Sequence, residues 1–82
     1  MQEAIYRLAN GYLHIQESSQ ASYEYTIFDN NKRLKDGGFW DTDAKMSDAA
    51  KEIAEDNSVT IKELITSNDE NNYEDIFETF IF

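Results

Sequence analysis

The sequence predicts an α+β domain: a four-stranded antiparallel meander over residues 4–40, packed by two or three C-terminal helices. Three observations predict it. Through residue 40 apolar and polar side chains alternate in short runs, the period of strands with one buried face. Asn10-Gly11 and Asn30-Asn31-Lys32 punctuate those runs as turns. From Asp41 onward the apolar residues recur at spacings of three and four, which is helical. At 82 residues the chain forms one domain, 1–82, well below the size at which chains split.

AIYRLANGYLHIQE (4–17) reads as a hairpin. Asn10-Gly11 suits a type I′ turn, which requires positive φ at both central residues. With those two as the loop, Leu8 faces Leu13, Arg7 faces His14 and Tyr6 faces Ile15. Tyr6, Leu8, Leu13 and Ile15 then share one side of the ribbon, and Arg7 and His14 share the other. YEYTIFD (23–29) puts Tyr23, Tyr25 and Ile27 on one face and Glu24, Thr26 and Phe28 on the other. After the Asn30–Lys32 turn, RLKDGGFWD (33–41) returns as the fourth strand. A bulge or sharp bend is expected at Gly37-Gly38.

The first helix is expected over 43–56. Met46, Ala49, Ala50, Ile53 and Ala54 form its stripe, and Thr42, Asp43 and Ser47 are the candidates to cap its start. SVTIKELIT (58–66) admits two readings. Thr60 and Glu63 fit a capping box for a brief helical turn, while the β-branched residues suit a strand. Ser67 and Glu70 form a second capping box, opening a helix over 69–80. There Tyr73, Ile76, Phe77, Phe80 and Ile81 make the apolar stripe, and Glu70, Glu74, Asp75 and Glu78 project away from it. A domain this small needs that stripe for its core, so the helix is expected to pack on the sheet. The alternative is a detachable tail that binds a partner.

Composition excludes much chemistry. There is no cysteine, hence no disulfide, thiolate metal site or thiol nucleophile. Triad chemistry would rest on His14, which reads as a cross-strand surface residue. Zinc binding needs three or four ligands, and one histidine is a poor start. Asp41-Thr42-Asp43 begins like a calcium-binding loop, but Met46 stands where that loop needs glycine. No phosphate-cradling motif follows Gly37-Gly38. Paired carboxylates are available, but a domain this small rarely offers the cleft a hydrolase needs. We therefore expect no enzyme activity and no cofactor. No basic-then-apolar leader and no membrane-length apolar run occur, which makes the cytoplasm the expected compartment.

The net charge of −10 is unevenly placed. Residues 1–40 carry five acids and four bases, and residues 41–82 carry twelve acids and three bases, the last being Lys62. Clustered Lys and Arg are what phosphate backbones and anionic membranes bind, so both are disfavoured as direct partners. NGYLHIQ (10–16), YEYTIFD, DGG (36–38) and a helix near DAAKEIAED (48–56) together resemble the large polyvalent protein-associated domains, over roughly residues 5–66. That resemblance implies carriage on conjugative elements and phages, and supplies no catalytic residue. In that setting the acidity suggests a protein partner with a basic surface, such as a host nuclease, bound and inhibited in the manner of anti-CRISPR or anti-restriction proteins that imitate DNA. The alternative is a generic interaction or regulatory module with no nuclease target. The acids expected to carry binding are Glu52, Glu55, Asp56, Glu70, Glu74, Asp75 and Glu78, several of them at i and i+4, about 5–6 Å apart on a helix.

Overall fold

A computed structural model describes residues 2–19, 21–68 and 80. Within them the chain runs β1 (Glu3–Leu8), β2 (Gly11–Ser19), β3 (Ser22–Asp29), β4 (Leu34–Asp41), α1 (Met46–Asp56) and β5 (Ile61–Asn68). The strands form one antiparallel sheet in the order β4-β3-β2-β1-β5. The four expected strands and their meander are present, but the expected architecture is not. The sheet has five strands, and the described residues contain one short helix rather than two or three.

The fifth strand comes from the segment that admitted two readings. A four-strand meander would leave β1 as an open edge with a row of unpaired backbone groups. Residues 61–68 fill that edge, and the Ala9 amide donates to Thr60 O just beyond the strand, at 3.0 Å. Long-range pairing with β1 outweighs the local Thr60–Glu63 capping box, which does not form a helical turn. Reaching that edge requires α1 to carry the chain across the whole sheet, from β4 on one side to β5 on the other. The helix then covers one face.

That face holds the main core. Ala4 and Leu8 of β1, Leu13 and Ile15 of β2 and Ile27 of β3 pack with Met46, Ala49, Ala50 and Ile53 of α1. Small alanines at two consecutive contact positions let the helix lie close to the sheet. Tyr6, Tyr23, Tyr25, Trp40, Val59 and Ile61 close the margin. The stripe over 46–54 is buried in full, as its spacing predicts. The helix starts later than residue 43, however, with Lys45 at the N-cap and no side-chain cap. Thr42 instead accepts from the Ala44 amide, stabilising the approach rather than the helix. At the other end Ser58 adopts φ 57°. There the Ser58 and Val59 amides donate to Glu55 O and Ala54 O, completing the left-handed C-terminal cap.

The first hairpin forms with a different register. Leu8 pairs with Gly11, Arg7 with Tyr12, Tyr6 with Leu13 and Ile5 with His14. This is a slip of two residues, so every side chain keeps its expected face. Ala9 and Asn10 form the turn, and no glycine has positive φ. Gly11 serves a different need: a Cβ there would lie 1.9 Å from Phe28 O on β3. The Asn-Gly pair thus marks the hairpin correctly, but the glycine answers a close backbone approach rather than a type I′ turn. Gly37 and Gly38 sit in regular pairing with Thr26 and Tyr25, and the irregularity of β4 falls earlier, at Lys35. A Cβ at Gly37 would lie 3.0 Å from Tyr25 O, whereas one at Gly38 would meet the Tyr25 ring at ordinary contact distance.

The opposite face is covered in part. Ile5 and Phe28 are buried there. The Phe80 ring meets Tyr12 edge-on with centroids 4.8 Å apart and lies 6.3 Å from Phe28. Phe80 O accepts from Lys32 Nζ at 2.8 Å. One residue of the expected terminal stripe therefore rests on the sheet. The rest of the helix expected over 69–80, including Phe77, lies outside the described residues.

Candidate protein-binding surface

Helix geometry stacks side chains four residues apart, so Asp48, Glu52 and Asp56 rise one above another along a single flank of α1. Its Glu52 and Asp56 end leans toward β3 and β4, while Asp48 points outward to solvent. Trp40 Nε1 of β4 lies 3.2 Å from Glu52 Oε1 and donates to it. The Tyr25 hydroxyl of β3 lies near Asp36 of β4 and Asp56 of α1. Its pKa is raised, first by burial and then by those two carboxylates, against a lowering contribution from an Asn57 hydrogen bond. Tyr23 is raised likewise, by burial and then by Glu17, and its hydroxyl donates to Ala44 O at 2.8 Å. The aromatic hydroxyls and indole thus stay protonated donors beneath a row of acids.

The expected contact residues fare unequally. Glu55 and Asp56 are exposed. Glu52 is half-buried and engaged by Trp40, so one of its oxygens is spent on orienting the indole. Glu55 stands seven residues beyond Asp48, on nearly the same side of the helix, and a turn beyond Lys51, which dilutes the charge there. Glu70, Glu74, Asp75 and Glu78 lie outside the described residues. Asp48 and Asp36 complete the acidic row and are not among the expected contacts. The i, i+4, i+8 spacing of 48, 52 and 56 is a signal in the sequence for the first; the second depends on strand placement.

His14 departs from its expected place on the surface. It is buried, with Nε2 2.7 Å from Glu3 Oε2. Asn68 Nδ2 donates to Glu3 Oε1 at 3.3 Å, and the Glu3 amide donates to Asn68 Oδ1. Arg7, expected beside His14, instead lies over the Tyr12 ring, 4.7 Å from its centroid. The cluster ties β1, β2 and β5 together and serves as a structural brace. Among the described residues no three carboxylate, imidazole or thiol groups converge on a point where a metal would sit. No helix among them is long and apolar enough to cross a membrane.

Two edges complete the surface. β5 carries extra residues at Lys62 and Ile65, which break the regularity of its pairing. β4 runs regularly from Asp36 to Asp41 and exposes Leu34 and Phe39, at 70% and 65%, on the face away from α1. Compared with known families, residues 1–78 match the model of large polyvalent protein-associated domain 16. The chain belongs to that family. The match covers almost the whole chain and reaches beyond the 5–66 span of the sequence resemblance, taking in all of β5. Domains of this family occur in polyvalent proteins of mobile elements. No curated protein and no solved structure matches the chain.

Proposed function

We propose that this domain is a non-enzymatic binding module of a mobile element, and that its acidic flank engages a basic, nucleic-acid-binding host protein and blocks it. The observation that carries the reading is the Asp48–Glu52–Asp56 row, extended by Asp36 and backed by Trp40 and Tyr25. A groove built to displace counterions from phosphates attracts carboxylates held at fixed spacing in the same way. Rigidity matters, because mobile surface acids would lose much of the gain to ordering. Here Trp40 pins Glu52, and α1 is anchored through its buried stripe. The target class is that of restriction or CRISPR nucleases, and the mode is imitation of DNA.

The test is a cleavage assay with purified restriction and CRISPR nucleases titrated with the whole chain. Inhibition should fall steeply with salt and be competed by excess DNA. The Asp48→Lys, Glu55→Lys, Asp56→Lys variant should lose it while remaining folded, since exposed substitutions cost about 0.5 kcal/mol or less each. Salt-insensitive inhibition, or full inhibition by the folded variant, would remove the acidic flank from the mechanism. A second reading, an interaction module without a nuclease target, draws on the exposed Leu34 and Phe39. An acidic mimic does not need them.

A further inference from the structure

We infer that the outer edge of β4, which pairs with no further strand among the described residues, accepts an extended segment of the partner as a sixth strand, one in which basic and apolar residues alternate. This rests on the reading of the domain as a protein-binding module, but not on the target being a nuclease. Two observations fix which backbone groups of β4 point outward. The Gly37 amide donates to its neighbour's Asp36 Oδ1 at 2.8 Å rather than to β3. The Thr42 amide donates inward, to Ala21 O. Alternation along an antiparallel strand then turns Gly37, Phe39 and Asp41 toward solvent.

Charge and shape choose the occupant. A strand laid against this edge places alternate side chains on the two faces of the sheet. On the α1 face they meet Asp36, Glu52 and Asp56. On the other face they meet Leu34 and Phe39. The matching sequence is basic on one side and apolar on the other. A second copy of this chain is the poorer occupant, because it brings a net charge of −10 to the same acids. Asp36 also acts as a guard: its carboxylate occupies the Gly37 amide until a lysine or arginine draws it away, which keeps the bare edge from pairing indiscriminately. The bulged β5 edge has no comparable regular run.

The test uses the whole chain and a synthetic peptide of alternating lysine and valine, with three controls: a scrambled peptide, an alternating glutamate–valine peptide, and the lysine–valine peptide N-methylated along one backbone edge. Trp40 fluorescence reads binding, and amide exchange reads its location. The expected result is protection gained at Gly37, Phe39 and Asp41, binding about ten-fold or more weaker for the N-methylated peptide, and none for the glutamate peptide. Equal binding of the N-methylated or scrambled peptide would overturn the strand addition while leaving the acidic surface intact. Failure of every basic peptide to bind would overturn both readings. Concentration-dependent protection of β4 in the chain alone would assign the edge to self-association and overturn the proposal.

Discussion

On the face covered by α1, the core is apolar throughout, from Ala4 and Leu13 on the sheet to Ile53 on the helix. The opposite face buries Glu3, His14 and Asn68 alongside Ile5 and Phe28. The first face is a packing problem solved by small residues and close approach. The second is a polar network, in which each group must be satisfied or it costs more than it contributes. The difference teaches where specificity of pairing arises. Apolar contacts tolerate a register slip of two residues, since faces are preserved. The Glu3–His14–Asn68 cluster does not, because it requires these residues of β1, β2 and β5 side by side.

The largest expected effect comes from that contrast. His14→Ala deprives the buried Glu3 carboxylate of a partner at 2.7 Å and should cost about 3–5 kcal/mol. Replacing Glu3 and His14 together by apolar residues of similar size should cost far less. Urea denaturation of the single and double variants checks this. If the single variant melts like wild type, the cluster contributes nothing to stability and the contrast between the faces fails.

On the α1 face the next effect is a cavity. Ile53 is fully buried between α1 and the sheet, so Ile53→Ala should cost about 3 kcal/mol. No conservative double replacement should rescue it, since volume rather than pairing is lost. A thermal melt comparing Ile53→Val with Ile53→Ala checks the dependence on volume. The valine variant should lose roughly a third as much.

The two faces are also unequally legible in the sequence. Tyr23, Tyr25 and Ile27, and the stripe from Met46 to Ala54, are visible as periodicity, because a uniformly apolar surface is what periodicity measures. The buried polar face carries no such signal. His14 alternates with Leu13 and Ile15 as a surface residue would, and its partners Glu3 and Asn68 are far away in sequence. β5 is ambiguous for a related reason. Thr60 and Glu63 advertise a local cap, whereas the need to close the β1 edge appears only once the sheet is assembled. The acidic row is half legible: its helical spacing is in the sequence, but Asp36 and Trp40 reach it only through the placement of β4.

A smaller effect probes the cover of the second face. Phe80 packs edge-on against Tyr12 and beside Phe28. Phe80→Ala should destabilise by about 1–2 kcal/mol, from lost aromatic contacts and area. The Lys32 bond to Phe80 O is a backbone contact and survives the substitution. A larger loss, approaching that of Ile53→Ala, would mean this face depends on its cover as heavily as the other depends on α1. Unchanged stability would support the detachable tail instead.

The smallest effect separates the faces by pH. Tyr6, Tyr23 and Tyr25 all point to the α1 face, and burial, the first cause in each, raises the pKa of all three above the usual value of 10.0. Asp36 and Asp56 raise Tyr25 further, and Glu17 raises Tyr23. A raised pKa means the folded state holds the phenolic proton more tightly than the unfolded chain. Above the unfolded pKa the folded state therefore binds more protons, and stability falls as pH rises. The contribution is complete below about pH 10 and is lost as the pH climbs through the folded values. Tyrosinate absorbance from these three groups should thus rise late and together with unfolding. Asp36→Asn and Asp56→Asn should bring the Tyr25 ionisation earlier and leave Tyr23 unmoved. If both variants leave the titration as it was, the carboxylates do not bear on Tyr25. The acidic row would then be looser than the α1–β4 geometry implies.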